Sequence, residues 1–98
     1  MGEINWTREA EKWLKDIHDY IARDNPSAAK RVVTGIYEKA QGLAKYPEIG
    51  HKYYSDHSED IRILLYGHYR ITYLIKPDKT IDILGVFHGA LDISKYLL

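Results

Sequence analysis

The stretch from Asp60 to Val86, DIRILLYGHYRITYLIKPDKTIDILGV, decides the fold. It holds three short runs rich in β-branched and aromatic residues, separated by turn signals, and reads as an antiparallel meander. Ile61, Ile63 and Leu65 alternate with Arg62, Leu64 and Tyr66. Tyr69, Ile71, Tyr73 and Ile75 alternate with Arg70, Thr72 and Leu74. Gly67-His68 joins the first two runs, and a glycine at the first central position suits a type II′ turn, whose positive φ costs glycine little. Lys76-Pro77-Asp78-Lys79 reverses the chain again, with Pro77 preset for the turn. Ile81, Ile83 and Phe87 would continue the first face. The second face then carries Arg62, Leu64, Tyr66, Arg70, Thr72, Leu74, Asp82, Leu84 and Val86, a mixture too apolar for a solvated sheet face. Two readings stay open: the last residues of the chain cover it, or it is a groove for a partner.

Everything upstream is built to cover one face of this sheet. Ile4 and Trp6 alternate with Glu3 and Asn5, which predicts a short N-terminal strand added to the meander. Thr7 is a good N-cap, and Ala10, Trp13, Leu14, Ile17, Tyr20 and Ile21 recur at spacings of three and four, so a helix is predicted over Arg8–Asp24. On its other face Glu11 stands four before Lys15 and Asp19 four before Arg23, the spacing of exposed ion pairs. Asn25 can cap a second helix and Pro26 fits its first position. That helix should run to about Tyr46, with Ala29, Val32, Val33, Ile36, Ala40, Leu43 and Ala44 as its stripe. So short a break predicts an antiparallel helix hairpin whose joint apolar face packs on the meander.

Pro47 ends the second helix, and Gly50 to Glu59 lacks periodicity and reads as loop. His51, Asp56, His57 and Glu59 are metal-capable residue types without ligand spacing, so no metal or other cofactor is expected. Ala90 to Leu98 reads as a short amphipathic helix docked on the sheet edge. The whole is an α+β domain over residues 1–98, of order β-α-α-β-β-β with a short C-terminal helix.

Composition narrows the function classes. The 98 residues contain no cysteine, which removes disulfide frameworks and thiolate metal sites. No run is long and apolar enough for a membrane span, and no basic-then-apolar signal opens the chain, so a cytoplasmic protein with no membrane partner is expected. Fourteen basic and fourteen acidic residues give zero formal net charge, whereas a protein that neutralises many phosphates usually carries a basic surplus. Locally, Lys30, Arg31, Lys39 and Lys45 face only Glu38 between Pro26 and Tyr46, a basic helix face of the kind that solvent usually meets. There is no nucleophile elbow and no Gly-rich phosphate loop. The remaining catalytic arrangement would set Arg62 and Arg70 on adjacent strands beside His88, where cations and an imidazole can stabilise phosphoryl charge and move protons. The plainer alternative is that Arg70 pairs with Asp82 and that His88 is a structural turn residue.

Several short motifs in a fixed order carry a resemblance over almost the whole chain: Trp6-Thr7, Tyr20-Ile21-Ala22, Asn25-Pro26, Tyr46-Pro47-Glu48-Ile49-Gly50, Tyr69-Arg70-Ile71-Thr72-Tyr73 and Val86-Phe87-His88-Gly89-Ala90-Leu91-Asp92-Ile93. Together they resemble the RelE/ParE toxin superfamily. The resemblance implies the toxin of a bacterial or archaeal type II toxin–antitoxin module, bound in a hetero-oligomer by its cognate antitoxin. Of the two branches, RelE-like members cut mRNA on the ribosome, and ParE-like members inhibit DNA gyrase without being nucleases. Arg70 and Arg62 match basic positions of the nuclease branch and Tyr96 approximates its late tyrosine. His88-Gly89-Ala90 stands where that branch has a further Arg, and Asp60 falls near a lysine position. The ending is similar to ParE-like members, which implies a gyrase inhibitor rather than an enzyme. By resemblance His88, Asp92, Tyr96, Arg62 and Arg70 would contact the target. Leu64, Leu74 and Leu84 are the expected floor for antitoxin side chains. The alternatives are a ribosome-dependent endoribonuclease using Arg62, Arg70, His88 and Tyr96, and a toxin-like scaffold that has lost toxicity and survives as a binding partner.

Overall fold

The computed structural model describes residues 3–53 and 59–89. A five-stranded mixed sheet of order β1-β5-β4-β3-β2 is covered on one face by two helices. The elements are β1 (Ile4–Trp6), α1 (Arg8–Ala22), α2 (Pro26–Gln41) with a 3-10 turn Gly42–Ala44, β2 (His51–Lys52), β3 (Asp60–Tyr66), β4 (Tyr69–Ile75) and β5 (Ile81–His88). The N-terminal strand, the helix hairpin and the meander follow the expected order. β2 is an addition: two residues of the segment read as loop pair antiparallel with β3, His51 opposite Ile63 and Lys52 opposite Arg62. Two residues are too few to show a period. The helix expected over 90–98 lies outside the described residues, as do Asp56 and His57.

Both helices begin where their caps dictate. The Thr7 hydroxyl accepts from the Ala10 N–H at 3.2 Å and donates to the Ile83 carbonyl at 2.7 Å, so one side chain caps α1 and ties it to β5. The Asn25 side chain accepts from the Ala28 N–H at 3.1 Å, with Pro26 in the first turn of α2. On the outer face of α1 the expected Glu11–Lys15 and Asp19–Arg23 pairs give way to a Lys15–Asp19 pair at 2.7 Å, while Arg23 lies over the Tyr20 ring. Hydrogen bonding to each other raises the Lys15 pKa and lowers that of Asp19, though both are exposed.

β1 runs parallel to β5 and the other pairs are antiparallel. Gly67 takes φ 57° and is the only residue of the two-residue turn in the left-handed region, as a type II′ turn requires. This turn pairs Tyr66 with Tyr69, Leu65 with Arg70 and Leu64 with Ile71. The faces expected from alternation alone are therefore recombined. Arg62, Leu64 and Tyr66 share the helix side with Tyr69, Ile71, Tyr73 and Ile75, while Ile61, Ile63 and Leu65 share the far side with Arg70, Thr72 and Leu74.

β5 adds a second change of parity. Tyr73 pairs with Ile83 but Thr72 pairs with Gly85, so Leu84 is the extra residue of a bulge. Beyond it Val86 turns into the helix-side core and Phe87 to the far side, the reverse of the uninterrupted alternation. Ile36, Leu43, Ile71, Tyr73, Ile81, Ile83 and Val86 are fully buried. Each such aliphatic side chain stabilises by about 1.5–3 kcal/mol. Ala29 and Ala40 are also fully buried, as the small-residue stripe of α2 predicts.

The far side is not an open apolar floor. Ile61, Ile63, Thr72 and Phe87 are all buried there. Trp13 and Tyr53 pack against Ile63 and Phe87, and the Trp13 ring meets that of Phe87 edge-on at 4.8 Å. Trp13 can serve both sides because β1 pairs with β5 only as far as Ile83, leaving an outer edge it can wrap.

Candidate functional site

Arg62 sits mid-strand in β3 with its guanidinium spent on its own chain. Its Nε donates to Asp60 Oδ1 at 3.0 Å, and Nη1 donates to the carbonyls of Glu48 and Gly50, each at 3.1 Å. The side chain is only 16% exposed. Beside it the Tyr73 hydroxyl donates to the Pro47 carbonyl at 2.7 Å and accepts from the Gly50 N–H at 3.0 Å. Burial pushes the Tyr73 phenol above its usual pKa, a rise the Gly50 hydrogen bond and the Arg62 charge only partly offset. A Cβ on Gly50 would lie 2.6 Å from the Tyr73 hydroxyl and 2.8 Å from the Ile63 carbonyl, so only glycine fits. The Tyr46-Pro47-Glu48-Ile49-Gly50 motif is thus a segment stapled to the sheet by Tyr73 and Arg62.

Arg70, on β4, projects from the opposite face. The expected pairing of Arg62 and Arg70 on one face does not occur, because the two-residue turn sets an even-numbered residue of β3 beside an odd-numbered one of β4. Arg70 Nη2 donates to the Gly89 carbonyl at 3.2 Å, and the Gly89 N–H donates to the His68 carbonyl at 2.8 Å. Both contacts hold the end of β5 against the β3–β4 turn. Asp82 takes its contacts from Lys76 and Asn5, each at 3.4 Å.

Leu64, Leu74 and Leu84 do not form one floor. Leu64 belongs to the helix-side core at 7% exposure. Leu74 is half-buried on the far side, and Leu84 is the half-buried bulge residue. Asp92 and Tyr96 lie outside the described residues.

His88 is where the expected site residues meet something new. It closes β5 on the helix side, opposite Tyr69. Its ring stacks on that of His68 at 6.4 Å, and the Tyr69 ring meets it edge-on at 5.8 Å. Between these strands and α1 lies a cleft of about 400 Å³ lined by Trp13, Asp16, Ile17, Tyr20, Tyr69, Val86 and His88. A second groove of about 460 Å³ runs along the helix hairpin, lined by Trp6, Glu11, Leu14, Lys15, His18, Val33 and Tyr37. There the Trp6 and Tyr37 rings stack at 5.8 Å, and Trp6 Nε1 is buried without a hydrogen-bond partner among the described residues. The groove borders β1, which is an edge strand. Neither concavity was expected from the sequence. The signal in the sequence is slight: Asp16 borders the apolar stripe of α1 beside Tyr20.

Residues 4–93 match the ParE toxin family, described as the ParE toxin of the type II toxin–antitoxin system parDE. The chain belongs to the ParE toxin family. It is 36% identical over 86 residues to Y4kP, a toxin candidate of Sinorhizobium fredii, covering 88% of this chain and 86% of that one. Toxin RelE2 of Caulobacter vibrioides is 40% identical over 50 residues, covering 51% of this chain and 57% of its own length. Among solved structures, one of a chromosomal ParDE toxin–antitoxin system from P. aeruginosa superposes with a TM-score of 0.74 at 26% identity, covering 90% of this chain and 96% of that one. The RelBE2 toxin–antitoxin complex of Mycobacterium tuberculosis shares the fold, with a TM-score of 0.65 at 23% identity over 89% of this chain and 96% of its own. The ParE-family chain therefore has the α+β architecture expected of the superfamily. Among its described residues no helix is long and apolar enough to cross a membrane.

Proposed function

We propose that this ParE-family toxin acts by inhibiting DNA gyrase and is neutralised by a cognate antitoxin. The observation that carries the choice of target is the fate of Arg62. An endoribonuclease of the alternative reading needs Arg62 and Arg70 directed at one scissile phosphate, and here they leave opposite faces of the sheet. Arg62 is further committed to two carbonyls and a carboxylate. Zero net charge agrees, since a ribosome-binding nuclease gains from a basic face. His88, which does face a cleft, is the target-contact residue best supported, with Asp92 and Tyr96 following it in sequence.

For the antitoxin, the groove of Trp6, Leu14, Val33 and Tyr37 replaces the leucine floor read from the sequence. It is apolar and open, and it runs beside the edge strand β1, whose outer backbone groups can take an added strand. The two solved structures named above come from toxin–antitoxin systems, which supports an antitoxin as the occupant.

The test adds purified toxin to a gyrase supercoiling reaction and, separately, to translating ribosomes. Supercoiling is expected to fall, and to recover when antitoxin is added. Cleaved mRNA with unimpaired supercoiling would overturn the reading in favour of the nuclease, and unhindered growth of a sensitive host expressing soluble toxin alone would favour a scaffold without toxicity.

A further inference from the structure

We propose that the cleft beside His88 is a receptor for a cationic side chain, best an arginine guanidinium, presented by a partner protein. Trp13, Asp16, Ile17 and Tyr20 stand at i, i+3, i+4 and i+7 on α1 and so project along one face of the helix. Opposite them β4 and β5 supply Tyr69, Val86 and His88. Among the described residues, the rings of Trp13, Tyr20, Tyr69 and His88 and the carboxylate of Asp16 line a space of about 400 Å³. Aromatic faces attract cations through their quadrupole, and a carboxylate at the rim adds direct charge attraction.

The residues themselves favour this occupant over a purely apolar one. Tyr20 is 70% exposed, so its ring is presented rather than packed, and it already attracts a guanidinium: Arg23 lies 5.9 Å from its centroid. Asp16 is exposed and is the one carboxylate among the described lining residues, at the solvent edge of the apolar stripe that Trp13, Ile17 and Tyr20 belong to, where it can meet a cation lying against their rings. A guanidinium is planar, stacks on aromatic rings and donates in a fork that matches a carboxylate, which favours arginine over lysine. The proposal rests on the gyrase reading only for which protein presents the cation, not for the chemistry of the cleft.

The test titrates the full chain with a capped Gly-Arg-Gly tripeptide and with its citrulline counterpart, which keeps the shape and removes the charge, following NMR signals. Saturable shifts of the Trp13 indole and of Tyr69 are expected with the arginine peptide, with affinity about five- to tenfold weaker for citrulline. Asp16→Asn and Tyr20→Leu should each weaken arginine binding severalfold, and Tyr46→Leu, which removes an exposed ring outside both clefts, should leave it unchanged. Both cleft substitutions are at exposed positions, so folding is preserved and checked in the same spectra. Equal response to both peptides, shifts that centre on Trp6 and Tyr37, or no shift at the cleft would overturn the proposal. A cleft that ignores the peptides while the toxin still inhibits gyrase removes this inference alone; a cleft that binds arginine in a toxin without effect on gyrase removes only the target reading.

Discussion

Two clusters in this molecule are assembled from the same kinds of residue and put to opposite uses. Around Arg62 and Tyr73, a guanidinium and a phenol are turned inward onto the backbone of Pro47–Gly50, and the carboxylate of Asp60 holds the guanidinium in place. Around His88, the phenols of Tyr20 and Tyr69 and the carboxylate of Asp16 line an open cleft. The first cluster converts polar chemistry into stability, because each polar atom removed from water has a partner. In the second, the Asp16 carboxylate and the Tyr20 and Tyr69 hydroxyls make no side-chain hydrogen bond among the described residues. Residue type alone does not separate the two; the hydrogen-bond partners do. Substitutions should accordingly cost stability at the first cluster and binding at the second.

The largest effect expected is at Gly50. Gly50→Ala places a methyl 2.8 Å from the Ile63 carbonyl, which is backbone and cannot swing aside. A loss of about 3 kcal/mol is expected, measured as a lowered midpoint in urea denaturation. A value near zero would mean that the Pro47–Gly50 segment is not held against β3.

Tyr73→Phe follows, removing one hydroxyl that serves both the Pro47 carbonyl and the Gly50 N–H. Leaving these groups unpaired in a buried site should cost about 2 kcal/mol. It should also change the alkaline limb of stability. Burial raises the Tyr73 pKa in the folded chain, so as pH climbs the unfolded chain loses its phenolic proton first. The stabilisation is whole below the ordinary phenol pKa and is lost as pH rises through the folded value. The wild-type midpoint should therefore fall more steeply than that of Tyr73→Phe across that range. Parallel curves would place the hydroxyl in water.

Next in size is the second hairpin, which carries a strain that can be removed. Lys79 adopts φ 74° in the turn after Pro77, closed by the Lys79 N–H to Lys76 carbonyl bond at 2.9 Å. A side chain in the left-handed region costs about 1 kcal/mol, so Lys79→Gly should raise stability by up to that amount, less the entropy glycine adds to the unfolded chain. A lowered thermal midpoint would show that Lys79 makes contacts that outweigh the strain.

What the sequence revealed and what it hid both trace to local physics. Thr7, Asn25 and Pro26 announce the helices because caps act over three or four residues. The strands of the meander were legible from their period of two. Which residues share a face follows from the Gly67-His68 turn and not from alternation within each strand: a two-residue turn sets Tyr66 opposite Tyr69 and so joins Leu64 to Ile71 rather than Ile63 to Ile71. The Leu84 bulge, which moves Phe87 off the face of Ile83, leaves no comparable mark. Arg62 reads as a site residue because alternation sets it beside Arg70 and because it matches a basic position of the nuclease branch; the carbonyls of Glu48 and Gly50 that absorb it come from twelve or more residues away. The His88 cleft needed α1 and β5 brought together, which no spacing along the chain displays.

The smallest effect on stability is expected at the other cluster, and it is the one that bears most on function. Asp16 is exposed, so Asp16→Asn should shift the unfolding free energy by no more than about 0.5 kcal/mol. If the cleft engages the target, the same substitution should weaken gyrase inhibition, visible as a higher toxin concentration for half-maximal loss of supercoiling. The contrast with Tyr73→Phe is then complete: one variant unfolds more easily and, where still folded, inhibits as before, and the other folds as before and inhibits less. An Asp16→Asn protein that loses stability like Tyr73→Phe would place its carboxylate in the internal scaffold and erase the distinction between the two clusters.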